Sequence, residues 1–286
     1  MIIVVAGLSG LAAALVVLRS HAPFAGSAAS AMVAGHAADL APVRRWLRRR
    51  RDPAVATGLA LTIALGAVVL LGTVFGVLAY LVRGNGPLPH ADRWVSEWGR
   101  DHATAFTDRG VKAVTQLGET WLVAILAVVL AAYAWRRGTR AAAPFLALVV
   151  VGNNLATNGI KALADRARPT LNPVAETLGP SFPSGHTTTA ASFFAAAALV
   201  LGAGATRNRR ALLAGAAVAA ATAVACSRVL LAVHWLSDVA AGLALGWAWF
   251  ALCAVAFGGR LLRFGAAVEE AETRAQVAAP APETGR

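Results

Sequence analysis

The chain contains 286 residues, of which 58% are hydrophobic and only 14% are charged. With a mean hydropathy of +0.62, this composition is wrong for a water-soluble domain and is typical of a protein that has the bilayer as its solvent. The net charge of +12 does not indicate a nucleic-acid partner. The basic residues lie at the ends of apolar runs and do not form a face interleaved with aromatic residues.

Long stretches without Asp, Glu, Lys or Arg recur along the chain. They cover residues 1–18, 53–82, 120–135, 141–160, 187–206, 211–227 and 239–259. Each is near or above the roughly 17 to 25 residues that a helix needs to cross hydrocarbon. Lipid cannot satisfy free backbone N–H groups, and the runs lack a period of two, so helices are predicted rather than barrel strands. The sequence thus predicts an all-α polytopic membrane protein with a core of six transmembrane helices and an extra N-terminal apolar helix.

These runs divide the chain into four parts. We expect an N-terminal apolar helix, transmembrane or signal-like, over residues 1–19, and a linker with a basic cytoplasmic segment over 20–52. The helical membrane domain occupies 53–259. Residues 260–286 are expected to form a cytoplasmic tail, and their composition, with few large apolar residues, predicts disorder.

Clusters of arginine indicate which connections between the runs face the cytoplasm. The clusters lie within residues 44–51, 136–140, 207–210 and 260–263. Because they occupy alternate connections, the intervening connections are expected on the opposite side of the membrane. Those outer connections are residues 83–119, 161–186 and 228–238. The first of them places Trp94 and Trp98 among charged residues over 91–117, which predicts an amphipathic helix at the membrane surface.

Charged and polar residues gather at three places on or beside the outer connections. They are Lys161 with Arg166, Arg168 and Pro169; then Pro183, Ser184, Gly185 and His186; then Ser227 and Arg228 with His234 and Asp238. Charged groups beside membrane helices are costly, so their placement is informative. All three clusters lie at helix ends on the same predicted side. Folding can therefore bring them together at one membrane face.

The cations and the helix start in these clusters suit a phosphate group. Lys161, Arg168 and Arg228 supply many N–H donors for the phosphate oxygens. Ser184 and Gly185 stand immediately before an apolar run, and a helix start offers unpaired backbone N–H groups and the positive end of the helix dipole. The sequence therefore predicts an anion site.

Two histidines are the candidates for the chemistry at that site. His234 and Asp238 are four residues apart, which on a helix places them on one face, so the carboxylate can accept a hydrogen bond from one ring nitrogen. The other ring nitrogen is then held unprotonated and can attack phosphorus. His186, at the opposite helix start, can protonate the departing alkoxide.

The three clusters together resemble the motifs of the type 2 phosphatidic acid phosphatase superfamily, which also includes bacterial acid phosphatases and vanadium haloperoxidases. The first motif, Lys, six residues, Arg-Pro, is matched by residues 161–169. The second, Pro-Ser-Gly-His, is matched by residues 183–186, and the third, Ser-Arg, five residues, His, three residues, Asp, by residues 227–238. Each motif alone is weak, and the combination in this order between membrane helices is specific.

The resemblance implies an enzyme mechanism and a set of site residues. His234 is expected to form a phosphohistidine, with Asp238 as its orienting partner and His186 as the acid. Phosphate contacts are expected from Lys161, Arg168, Ser184, Gly185 and Arg228. The resemblance implies no metal and no cofactor. Arg166 stands outside the motif positions, and we interpret it as a surface or headgroup contact.

The expected function is therefore that of a multi-pass plasma-membrane phosphatase, with residues 53–259 as the phosphatase domain and an active site on the extracytoplasmic face. Undecaprenyl pyrophosphate, phosphatidic acid and phosphatidylglycerol phosphate all fit as the lipid substrate. The abundant Ala and Arg, which suggest a GC-rich bacterial coding sequence, favour the first. The partners expected are this substrate and membrane lipids.

Two other function classes are open. A vanadate-dependent haloperoxidase would share the anion pocket, although such members are typically soluble and larger. A transporter or noncatalytic scaffold would explain the helices, but not a histidine, an aspartate and three phosphate-type cations on one side. Cys226 and Cys253 lie in or at the ends of apolar runs and are interpreted as packing residues, so no disulfide is expected.

Overall fold

The structure is a computed structural model, and it describes residues 53–83, 87–102, 105–169 and 179–261, together with Ser9. All regular structure within these ranges is helical. The predicted linker over 20–52 and the tail beyond residue 261 lie outside the described residues. The predicted N-terminal helix also lies outside them, Ser9 excepted.

Local sequence signals set the bounds of the helices. The helices are α1 (Pro53–Leu81), α2 (Pro87–Asp101), α3 (Ala105–Thr115), α4 (Thr120–Arg136), α5 (Ala142–Ala147), α6 (Asn153–Ala164), α7 (Gly185–Leu201), α8 (Arg207–Leu230) and α9 (Leu236–Leu261). Helices α1 and α2 both begin at a proline, whose fixed φ suits the first helical position. Gly138 follows the end of α4 with φ +82, the left-handed conformation that commonly ends a helix.

Several helices have the length and composition of membrane spans. Suitable segments lie in α1, in Ala142–Ala164 (the continuous stretch of α5 and α6), in α8 and in α9. The end of α3 and the whole of α4 together make a further candidate, bent by 54° at the break between them. Helix α7 is apolar but has only 17 residues. It ends at Leu201 rather than at the predicted residue 206, because Gly202 and Gly204 follow and Gly204 adopts φ +69.

Helix α7 is at the centre of the helical bundle, with α4, α6, α8 and α9 packed around it. Two glycines of α9 allow a close approach of these backbones. A Cβ atom at Gly246 would lie 2.5 Å from the carbonyl oxygen of Thr188, and one at Gly242 would lie 3.0 Å from that of Ser184. The beginning of α9, which carries Asp238, is thereby held against the beginning of α7.

A turn of π-helix, Leu148–Gly152, joins α5 to α6. Trp249 of α9 packs here: its Nε1 donates to the carbonyl oxygen of Leu148 at 3.3 Å, and a Cβ at Gly152 would lie 2.3 Å from its ring. Such turns often occur near functional sites. In α6, which follows the π-helical turn, Asn153 and Thr157 are buried. Lys161 follows four residues later on the same face.

The predicted amphipathic segment over 91–117 is divided between α2 and α3. Helix α2 packs across α8 and α9, with Trp94 67% exposed on its outer face and Ser96 buried on its inner face. The segment is therefore two helices rather than the one predicted. Its position at the membrane surface remains a prediction.

Candidate active site

The three motif segments meet at the beginning of α7. The backbone N–H of Ser184 donates to the carbonyl oxygen of Asp238 at 3.1 Å, which joins the second motif to the third. Nη1 of Arg168 lies 3.1 Å from Nε2 of His234, which joins the first motif to the third. A Cβ at Gly185 would lie 3.9 Å from Nζ of Lys161, so the first and second motifs are also neighbours.

His234 lies in the short connection between α8 and α9 and is only 1% exposed. Its Nδ1 is 3.4 Å from Oδ2 of Asp238, which is completely buried. The same carboxylate oxygen accepts a hydrogen bond of 3.0 Å from the backbone N–H of Trp235. The predicted pairing of His234 with Asp238 is therefore present, and Nε2 of the ring faces Arg168.

The environment of His234 favours the neutral ring. Burial lowers the pKa of His234 from its ordinary value of 6.5 to about 4. The hydrogen bond and charge of Asp238 raise this pKa, while Arg228 and Arg168 lower it further. A neutral ring that faces a carboxylate through Nδ1 carries its proton there, so we assign the unprotonated position to Nε2. That is the nitrogen that a nucleophilic role requires.

Arg168 lies beside Nε2 of His234, and its other contacts are to backbone carbonyl groups. Its Nε donates to the carbonyl oxygen of Gly179 at 2.9 Å and its Nη2 to that of Pro180 at 3.2 Å. Its Nη1 also donates to the carbonyl oxygen of Val233 at 3.0 Å. Burial lowers the pKa of Arg168, while the charge of Asp238 raises it. These carbonyl groups hold the guanidinium beside Nε2 of His234.

Arg228 brings a buried charge to the site. It is only 6% exposed, and its Nη1 donates to Oγ1 of Thr115 at 3.0 Å. Its Nε is buried and has no hydrogen-bond partner among the described residues. A buried guanidinium N–H is costly to leave unpaired, and an anion in the site would satisfy it.

Ser184 occupies the N-cap position of α7 without capping the helix through its side chain. Its Oγ accepts a hydrogen bond from Oγ1 of Thr187 at 3.0 Å, in a fully buried position. The backbone N–H of Ser184 is engaged with Asp238, whereas its hydroxyl accepts from Thr187 and keeps its own proton to donate. The role of Ser184 as a phosphate ligand stays a prediction.

Glu119 is a neighbour of His186 that the sequence reasoning missed. Nε2 of His186 lies 3.0 Å from Oε1 of Glu119, with the two side chains 23% and 38% exposed. The two atoms are not aligned for a hydrogen bond. Gly118 makes this approach possible, because a Cβ there would lie 2.7 Å from the carbonyl oxygen of His186. One feature of the sequence could have indicated Glu119: it is a carboxylate directly before the apolar run 120–135, at the end of a connection predicted on the outer side.

Arg166 is where the interpretation from sequence was wrong. Its guanidinium is not a surface or headgroup contact, because the side chain is only 14% exposed and forms ion pairs with two buried carboxylates. One is Asp238, and the other is Asp92 of α2, which sequence reasoning had left on the amphipathic surface helix. Asp92 lies four residues before Ser96, which is also buried. This spacing places both polar residues on one face of a helix, and it is the one feature of the sequence that indicated the position of Asp92.

Comparisons with known proteins agree with this arrangement. Residues 122–261 match the model of the PAP2 superfamily. The fold is similar to the crystal structure of "the first transmembrane PAP2 type phosphatidylglycerolphosphate phosphatase from Bacillus subtilis", with a TM-score of 0.62 and 26% sequence identity. That match covers 68% of this chain and 96% of the other. A search of curated proteins gave no significant match.

Both comparisons therefore support the type 2 phosphatidic acid phosphatase superfamily as the family of this chain, with the matched domain over residues 122–261. The prediction of an all-α polytopic membrane protein is confirmed, while the number of six spans is not established. Both comparisons support a lipid phosphatase that resides in a membrane. His234 and Asp238 lie inside the matched range, whereas Asp92 and Glu119 lie outside it.

Proposed function

We propose that this protein hydrolyses a lipid phosphate or pyrophosphate monoester through a phosphohistidine at His234, without a metal ion. The observation that carries the proposal is the arrangement of this ring, with Nδ1 beside Asp238 and Nε2 beside Arg168. A nucleophile held by a carboxylate and facing a cation suits attack on an anionic phosphorus centre.

In the first step, Nε2 of His234 forms a bond to phosphorus while the bond from phosphorus to the leaving oxygen breaks. His186 gives its proton to that oxygen, so a lipid alcohol or lipid monophosphate departs. The phosphoryl oxygens then lie among Lys161, Arg168 and Arg228. For phosphorus to approach Nε2, the contact between Arg168 and that nitrogen gives way to a contact with a phosphate oxygen.

In the second step, water attacks the phosphohistidine. His186, now neutral, takes a proton from the water as the new oxygen–phosphorus bond forms. The bond between phosphorus and Nε2 of His234 breaks, and inorganic phosphate leaves. Asp238 stabilises the positive charge that the phosphorylated ring carries between the two steps.

The substrate panel follows from the superfamily and from the structural neighbour. Phosphatidylglycerol phosphate stands first, because the structurally similar Bacillus subtilis protein is a phosphatidylglycerolphosphate phosphatase. Undecaprenyl pyrophosphate and phosphatidic acid complete the panel. We place the active site on the extracytoplasmic face of the plasma membrane, since the arginine clusters occupy the alternate connections.

The test is release of phosphate by purified protein from each lipid of the panel, with His234→Ala as the matched control. We expect turnover of at least one lipid, retained in excess chelator and inhibited by vanadate, which adopts the trigonal bipyramidal geometry of the transition state. Activity that chelator abolishes and a divalent ion restores would disprove the metal-free mechanism. Halide oxidation with bound vanadate, in the absence of phosphate release, would indicate a haloperoxidase instead.

A further inference from the structure

A buried polar cluster connects α2 with the candidate nucleophile. It consists of Asp92, Arg166, Ser237 and Asp238, and we call it the relay cluster. Asp92 is 1% exposed and Asp238 is not exposed at all. Two carboxylates this deeply buried need hydrogen bonds and a compensating cation, and Arg166 supplies that cation.

Both carboxylate oxygens of Asp92 accept hydrogen bonds from Ser237, in the first turn of α9. Its Oδ1 accepts from the backbone N–H of Ser237 at 2.8 Å, and its Oδ2 accepts from the Ser237 hydroxyl at 2.5 Å. A helix start leaves N–H groups without an intrahelical partner. Asp92 therefore caps α9 from a different helix, 145 residues earlier in the chain.

Arg166 divides its guanidinium between the two carboxylates. Nη2 donates to Oδ2 of Asp92 at 2.8 Å, and Nη1 donates to Oδ1 of Asp238 at 2.5 Å. Nη1 also donates to the Ser237 hydroxyl at 2.8 Å. The guanidinium carbon lies 5.7 Å from the centre of the Trp235 ring. Each of these contacts fixes the plane of the guanidinium.

The relay cluster determines which oxygen of Asp238 is available to His234. Arg166 occupies Oδ1, so Oδ2 is the oxygen that meets Nδ1 of the ring. The backbone N–H of Trp235 binds the same Oδ2 and keeps the carboxylate from rotating. No described contact joins Asp92 or Arg166 to Lys161 or Arg228, the groups placed around the phosphate.

From this geometry we propose that Asp92 and Arg166 are positioning residues of the phosphatase. They act through Asp238 to hold His234 in the orientation needed for attack, and they do not bind the phosphate. The inference rests on the proposed function, because it assigns these residues a part in the reaction of His234. It also places a determinant of catalysis on α2, outside the range matched by the superfamily model.

The test compares Asp92→Asn and Arg166→Lys with a control substitution on α2, the helix that carries Asp92. Arg100 and Asp101 form an exposed ion pair on α2, so Asp101→Asn removes the same charge without touching the relay cluster. We expect each relay variant to lower kcat about 10- to 100-fold, because small misplacements of a reacting group cost that much. The inhibition constant of inorganic phosphate should stay within about threefold. The control should match wild-type protein in both measurements.

A double-mutant cycle separates positioning from general stability. If Asp92 acts through Asp238, Asp92→Asn should lower phosphate release strongly in wild-type protein but by less than about threefold in an Asp238→Asn background. Equal losses in the two backgrounds would overturn the proposal. Rates are normalised to folded protein by size-exclusion chromatography. If Asp92→Asn does not fold, Ser237→Ala removes the hydroxyl contacts alone, and the same cycle applies.

The outcomes also separate this inference from the proposed function. Wild-type protein that releases no phosphate from any lipid, or His234→Ala protein that keeps full activity, would count against the proposed function. Active wild-type protein with inactive His234→Ala, but with normal kcat in Asp92→Asn and Arg166→Lys, would overturn the positioning role alone.

Discussion

The two histidines of the candidate site are held in opposite ways. His234 is 1% exposed, and its carboxylate partner Asp238 belongs to a cluster of ion pairs and hydrogen bonds that extends to α2. His186 has a side chain that is 23% exposed and lies beside Glu119, which is itself 38% exposed. One ring is fixed through several buried contacts, and the other lies beside a partly exposed carboxylate.

This difference fits the two roles proposed for the rings. A nucleophile has to keep one nitrogen unprotonated and aligned with phosphorus, so rigid support lowers the cost of reaching the transition state. A residue that acts first as acid and then as base has to exchange its proton with two different oxygens. A partly exposed ring beside a second carboxylate suits that exchange.

Removing the fixed ring should have the largest effect. We expect His234→Ala to lower phosphate release on the order of 10⁴-fold or more, as is typical when the nucleophile of a coupled set is removed. It should also abolish an acid-labile phosphoenzyme, measured by rapid quench with a substrate carrying labelled phosphate. A His234→Ala protein that still forms this phosphoenzyme would place the nucleophile elsewhere.

Removing the more exposed ring, that of His186, should have a smaller and substrate-dependent effect. General acids contribute typically 10²- to 10⁴-fold, so His186→Ala should lose about that much on a lipid alkyl phosphate. An aryl phosphate has a better leaving group and needs less protonation, so the loss on that substrate should be clearly smaller. Equal losses on both substrates, measured as kcat/KM, would show that His186 is not the acid.

The sequence was sufficient for the residues whose spacing carries the chemistry. The spacing of four residues between His234 and Asp238 predicted their pairing, and the pair is present although His234 lies in the connection before α9 and only Asp238 is on that helix. The apolar runs likewise predicted where α4 and α8 lie, because lipid permits few alternatives to a helix. Contacts that depend on local chain geometry were therefore predictable.

The relay cluster could not be predicted in the same way. Arg166 and Asp92 are separated by 74 residues, and nothing in the order of residues says that α2 lies across the beginning of α9. A charged residue on an amphipathic helix is normally solvated, so the segment over 91–117 was predicted at the membrane surface and no role was assigned to Asp92. Only the three-dimensional packing shows that this carboxylate points inward and is fully paired.

The protonation of the fixed ring can be measured directly. Burial lowers the pKa of His234 to about 4, so the ring should be neutral above that pH and become cationic as the pH falls through it. An ordinary histidine with a pKa of 6.5 would be about nine-tenths protonated at pH 5.5. Titration of isotope-labelled histidine by NMR, with His234→Ala for assignment, should show a neutral ring at that pH. A midpoint near 6.5 would contradict the buried, fixed environment.

Neutralising Glu119 should have the smallest effect, and it tests how much this carboxylate contributes to the action of His186. A pair this exposed is screened by solvent and is worth about 0.2 to 1 kcal/mol, so Glu119→Gln should slow turnover of a lipid alkyl phosphate by about two- to fivefold. The aryl phosphate should be nearly unaffected, since that reaction needs less help from the acid. Glu97→Gln, at an exposed position on α2, provides the matched control and should change neither rate. If Glu119 acts only through His186, its substitution should have no further effect in a His186→Ala background. A loss as large as that of His186→Ala would instead mean that the carboxylate of Glu119 delivers the proton itself, and the assignment of His186 as the acid would be wrong.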